Sequence, residues 1–211
     1  MGLPKIQSYP LPSADELPAA RAQWTPQTER MALLVHDMQE YFLAPFDQHA
    51  APIPQAVVNL TRLIAHCRAR GIPVFYTAQQ GQQEYRDRGL QADLWGPGMR
   101  AIPEHEAIIP PLAPAEGDHL LVKHRYSAFQ RSNLETLMRA RGRDQLLVTG
   151  VYTHIGCSAT AIEAFQRDIE PFVAADAGAD FSQADHESAL CWMARTCAVP
   201  MTTDQLLEAL S

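Results

Sequence analysis

What the sequence has little of narrows its class before any motif is read. No stretch approaches the roughly 20 consecutive apolar residues that a membrane-spanning helix needs. The N-terminal segment MGLPKIQSYPLPSADEL lacks the apolar core of a signal peptide. Basic residues are not in excess: 17 Lys and Arg against 24 Asp and Glu leave a net charge of −7, which argues against general nucleic-acid binding. The four cysteines, Cys67, Cys157, Cys191 and Cys197, form no CxxC pair and no zinc-ligand spacing. They read as free thiols of a cytoplasmic protein, mostly buried as small apolar residues. The eight histidines show no HxH or HExxH spacing. No GxGxxG or P-loop pattern occurs either. The expectation is therefore no metal, no nucleotide cofactor, no membrane and no nucleic acid.

What is present suits one α/β domain over residues 1–211: 46% of residues are hydrophobic and 19% charged, enough for a sizeable core. SADE at 13–16 has a capping-box pattern and predicts a short helix running to about Trp24. MALLVHD at 31–37 reads as a buried strand with Asp37 at its C-terminal end. Residues 54–71 show helical apolar spacing and a closing glycine. IPVFYTAQ at 72–79 reads as the second strand. The segment 80–118, rich in Gly and Pro, reads as a long irregular loop, and such loops usually carry function. Further strands are predicted from 119, over QLLVTGVYT, at 170–177 and at VPMTT. Helices are predicted at 132–142, 155–168, 182–198 and TDQLLEAL. This alternation implies a three-layer doubly wound fold around a six-stranded parallel sheet, with the binding crevice outside the C-terminal strand ends.

Asp37, Gln79, Lys123 and the segment Tyr152 to Gly156 all fall at such ends. Taken singly, each has an ordinary explanation. Asp37 could be a helix N-cap. Lys123 could be an edge residue facing water. Arg88 reads as a solvated charge. His36 and His154 read as hydrogen-bonded structural residues, and Trp95 as either core or pocket wall. Taken together, Asp37 and Lys123 say more, because a buried carboxylate wants a cation beside it.

In order, the stretches LLVHDMQEYF, FYTAQ, LWGPGMR, KHRYSAF, GVYTHIGCSATAIEAFQRDIEPFVAADAGADFS and MTTDQ, with the early YPLP, resemble the isochorismatases of the isochorismatase-like hydrolase superfamily. The resemblance covers nearly the whole chain. The superfamily also contains nicotinamidases and other amidohydrolases with an Asp, a Lys and a nucleophilic Cys. There the Cys follows a motif similar to GVYTHI, but here the next residue is Gly156. Cys157 stands one place late, a turn of about 100° on a helix. The metal-site Asp and His cluster of nicotinamidases has no visible counterpart near YTAQQGQ.

The resemblance therefore implies hydrolysis of an enolpyruvyl vinyl ether without a covalent intermediate. The substrate is isochorismate or 2-amino-2-deoxyisochorismate, and the pathway is siderophore or phenazine biosynthesis. Such chemistry needs a positioned acid. Asp37 is the expected acid, held protonated by desolvation against the opposing pull of its catalytic partner Lys123, which the substrate's two carboxylates offset. The resemblance further implies substrate contacts from Lys123, Gln79, Arg88, Tyr152 and the Gly156 backbone, and apolar walls from Phe42 and Trp95. It also implies a homodimer and a cis peptide after Val151. The chain reads as a stand-alone domain with no carrier domain appended. Two other readings remain: a cysteine amidohydrolase of the nicotinamidase type with a shifted nucleophile, and a catalytically inactive partner-binding homologue.

Overall fold

The computed structural model describes residues 3–211. Its centre is a six-stranded sheet in the order β3-β2-β1-β4-β5-β6, every pairing parallel. The strands are β1 (Met31–His36), β2 (Val74–Ala78), β3 (His119–Val122), β4 (Gln145–Val151), β5 (Glu170–Ala179) and β6 (Val199–Met201). β1 is buried on both faces, as a central parallel strand should be. Its side chains alternate between two cores. Met31, Leu33 and Val35 join one apolar cluster, while Ala32 and Leu34 join the other.

Helices cover both faces. α1 (Glu40–Leu43) follows β1, and α2 (Ile53–Ala69) packs Leu60, Leu63 and Ile64 into the first cluster. The second cluster takes Leu134 and Met138 from α6 (Leu134–Arg139), Ala161 and Ala164 from α7 (Ser158–Gln166), and Leu190 and Met193 from α8 (Gln183–Thr196). α9 (Thr203–Ala209) returns Leu206 to the first face and opens on a capping box built by Thr202 and Gln205. The doubly wound three-layer architecture expected from the alternation is the one observed. Because the winding reverses between β1 and β4, the connections leaving their C-terminal ends run to opposite faces of the sheet and leave a crevice between them.

Three local expectations are corrected. The capping box at Ser13 is formed, yet only the turn Ala14–Glu16 follows it. Leu17 is extended because Pro18 excludes the helical conformation from the residue before it, so no helix reaches Trp24. The segment 80–118 is not structureless. It folds into α3 (Tyr85–Arg88), α4 (Gln91–Trp95), α5 (Pro103–Glu106) and a 3-10 turn at Pro110–Leu112, with Gly89 and Gly96 ending the first two. Finally, the chain leaves β4 through a π-helical turn, Thr153–Cys157, rather than directly into an α-helix. The peptide bond between Val151 and Tyr152 is cis.

Candidate active site

β1 ends at His36, and the next residue, Asp37, has φ +51°. Left-handed backbone is uncommon outside glycine and costs least for Asp and Asn. This turn aims the carboxylate across the sheet edge rather than at the N-terminus of α1. Thr77 at the end of β2 donates to Asp37 Oδ1 at 2.6 Å. Gln79 Nε2 donates to Oδ2 at 3.2 Å. Lys123, just past β3, places Nζ 2.9 Å from Oδ2. The helix-cap reading of Asp37 is therefore set aside, as is the edge reading of Lys123, which is 2% exposed.

The pair is an ionised one. Burial pushes the Asp37 carboxyl upward, but the Lys123 ammonium, with His36 and the Thr77 hydroxyl, outweighs it and holds the carboxyl below the usual carboxylate range. The expected opposition of Lys123 thus outweighs desolvation in the free site, where the carboxyl is ionised rather than held protonated. Lys123 has no spare donor: its other two protons go to the carbonyls of Arg125 at 2.7 Å and Tyr126 at 3.2 Å. Its geometry is that of a clamp on Asp37.

His36 stands behind this pair, 1% exposed. Its Nδ1 lies 2.8 Å from the Val151 carbonyl and its Nε2 3.2 Å from that of Tyr126. Burial lowers the imidazole pKa despite the neighbouring Asp37. The ring also decides what position 156 can be. A Cβ on Gly156 would sit 2.2 Å from His36 Cε1 and 2.8 Å from Nε2, closer than atoms can pack. A cysteine there could not coexist with His36 where it stands. Cys157 offers no substitute. Its thiol points at the carbonyls of Thr149 and Gly150, both at 3.7 Å, packs in the second core cluster, and is pushed well up in pKa by burial.

These groups open onto a recess at the C-terminal ends of the strands, where an open parallel sheet binds its ligands. All eight residues singled out from the sequence line it: Asp37, Phe42, Gln79, Arg88, Trp95, Lys123, Tyr152 and Gly156. Arg88 is buried, not solvated as its loop context suggested. Its Nε donates to the Gly96 carbonyl at 2.7 Å, and the head of the guanidinium packs where a side chain on Gly98 would stand. Among the described residues no carboxylate offsets its charge, and burial draws its pKa below the ordinary value. Tyr152 contributes its ring, since its hydroxyl is committed to the Phe42 carbonyl at 2.6 Å. Phe181 closes this wall, its ring centroid 4.4 Å from that of Tyr152.

The sequence reading missed several contributors. Tyr126 lines the recess and accepts the Trp95 indole N–H at 2.7 Å. It lay in the quoted KHRYSAF stretch, three residues from Lys123, whose ammonium donates to its carbonyl. Thr77 alternates on β2 with nothing to distinguish it from a core threonine. Gln39 is fully buried and ties α1, Gln79 and α5 together: its amide donates to the carbonyls of Gln79 and Glu106, both at 2.8 Å. Gln91, Tyr41, Met99 and Phe181 come from segments whose approach to the crevice has no local signature. Among the described residues no three His, Cys, Asp or Glu side chains gather in a metal-binding group, and no helix is long and apolar enough to cross a membrane.

A profile of the isochorismatase domain matches residues 31–205. The chain is 48% identical over 210 residues to an isochorismatase of Bacillus subtilis, covering 100% of this chain and 67% of that protein. It is 48% identical over 207 residues to a phenazine biosynthesis protein of Pseudomonas aeruginosa, covering 98% and 99%. It is 44% identical over 209 residues to the enterobactin synthase component B of Escherichia coli, covering 99% and 73%.

Proposed function

The chain belongs to the isochorismatase family, and from that premise we propose that it hydrolyses the enolpyruvyl ether of isochorismate, or of 2-amino-2-deoxyisochorismate, to pyruvate and the ring alcohol. The observation that carries the proposal is a buried carboxylate–ammonium pair, Asp37 and Lys123, facing a recess in which no thiol can stand at position 156. An acyl-transfer reaction would need that thiol, whereas cleavage of a vinyl ether needs a proton on carbon.

The steps follow from the charges. Arg88, a buried cation without a carboxylate partner, takes one substrate carboxylate in its bidentate fork. Among the described residues Asp37 is the one anionic side chain lining the recess. Two incoming carboxylates raise its proton affinity, so it takes up a proton as substrate binds. It then gives that proton to the terminal CH2 carbon, producing an oxocarbenium ion. The regenerated carboxylate stabilises this cation and accepts a proton from the water that adds to it. The resulting hemiketal collapses, its C–O bond to the ring breaking to give pyruvate and the alcohol. Lys123 limits the charge on Asp37 between these events. Phe42, Trp95, Tyr152 and Phe181 keep bulk water from the cation.

The purified protein given isochorismate, and separately its 2-amino analogue, should release pyruvate, read through lactate dehydrogenase. No pyruvate from either would overturn the proposal. The ratio of the two rates assigns the ring substituent, and with it siderophore or phenazine biosynthesis. A homodimer in the cytoplasm completes the reading. Exposed Leu90, Leu94 and Trp192 support self-association, and four free cysteines support a reducing compartment. Light scattering on the eluting protein tests the first point.

A further inference from the structure

Gln91 opens α4, three residues after Arg88 and four before Trp95, and lines the recess with both. It is 9% exposed. A primary amide offers two N–H donors and a carbonyl acceptor. Among the described residues the Gln91 side chain makes no hydrogen bond, and it does not cap the helix it begins. The other glutamine lining the recess, Gln79, is engaged by the acid, its amide donating to Asp37. The Gln91 amide atoms are not sealed away from solvent, and the recess is the cavity that Gln91 lines, so the amide is free to meet a ligand there.

We propose that Gln91 is a specificity-determining residue, whose amide hydrogen-bonds the ring substituent, hydroxyl or ammonium, next to the ring carboxylate, which this proposal assigns to Arg88. This rests on the reaction proposed above. The assignment follows from matching groups. A guanidinium suits a carboxylate, and Arg88 supplies it. A hydroxyl donates and accepts, an ammonium only donates, and an amide can answer either with its N–H groups or its carbonyl. The ether oxygen only accepts and belongs beside the acid, Asp37.

The test is Gln91→Met, which keeps an unbranched side chain of the same reach and removes the amide. Kinetics with isochorismate and with its 2-amino analogue are compared with wild type, alongside thermal melting. The expected result is a rise in KM and a fall in kcat/KM of roughly 5- to 100-fold on the better substrate. The preference between the two substrates should shift by at least about threefold. The melting temperature should hold, because the substitution breaks no hydrogen bond within the protein. Kinetics within about twofold of wild type on both substrates would overturn the inference. So would an equal loss on both with a lowered melting temperature, which would make Gln91 a packing residue. Failure of the wild-type protein to release pyruvate is a separate outcome and would refute the reaction itself.

Discussion

Lys123→Met removes the ammonium from a pair in which both partners are almost fully buried and 2.9 Å apart. Methionine keeps the length and flexibility of the stem, so the dominant loss is charge. Asp37 would then keep Thr77 and Gln79 as donors but lose its one close cation, and the carbonyls of Arg125 and Tyr126 would lose theirs. Breaking a buried pair from one side costs about 3–5 kcal/mol. For a chain of this size that lowers the melting temperature by roughly 6–20 °C at neutral pH.

The pH dependence carries the sharper test. In wild type the Asp37 carboxyl lies below its unfolded range, so its contribution is present above about pH 4 and is lost only as pH falls through the depressed value. In the variant, burial acts with far less opposition and the carboxyl rises above its unfolded value. Folding then favours the protonated form. As pH falls through that raised value, the variant recovers about 1.4 kcal/mol per pH unit relative to wild type, until the unfolded carboxyl also protonates near pH 4. Thermal melts of both proteins from pH 8 to pH 4.5 measure this gap. A gap that stays constant with pH, or a melting loss of under about 2 °C at pH 7, would refute the claim that Lys123 acts by clamping an ionised Asp37.

Asp37→Asn keeps shape and polarity but has no carboxylic proton. Single-turnover pyruvate release should fall at least about 10²–10⁴-fold while substrate still binds. Cys157→Ala, measured beside it, should keep near-wild-type turnover with a small packing loss, and the opposite pattern would restore the thiol as catalyst. Arg88→Ala should raise KM, with a loss in kcat/KM worth about 2–5 kcal/mol. Unchanged kinetics would return Arg88 to a structural role. Gly156→Ala should abolish activity and lower the melting temperature, because its methyl group would stand 2.2 Å from the His36 ring. His36→Ala in the same chain should restore part of the melting temperature, and a double variant no more stable than Gly156→Ala would show that the two sites do not collide.

The sequence by itself determined the parts whose physics is local. Apolar runs of strand length alternating with helical spacing specify a parallel sheet with two covered faces, and the chain direction then puts Asp37, Gln79, Lys123 and Tyr152 at strand ends on one rim. The absence of a side chain at Gly156 is equally a one-dimensional fact. Other features had no local signal. Whether Arg88 is wet or buried depends on how α3 and α4 fold over the crevice, and a charged residue in a Gly- and Pro-rich loop has the same local pattern in either case. Whether Asp37 is ionised is set by the distance to Lys123, 86 positions away in the chain, which overrides its burial. Why Gly156 must lack a side chain is visible only once β1 and the turn after β4 are adjacent, because the atom that excludes one belongs to His36. Charge state and steric exclusion are both steep functions of separations of a few ångströms between residues remote in sequence, and only the tertiary structure decides those separations.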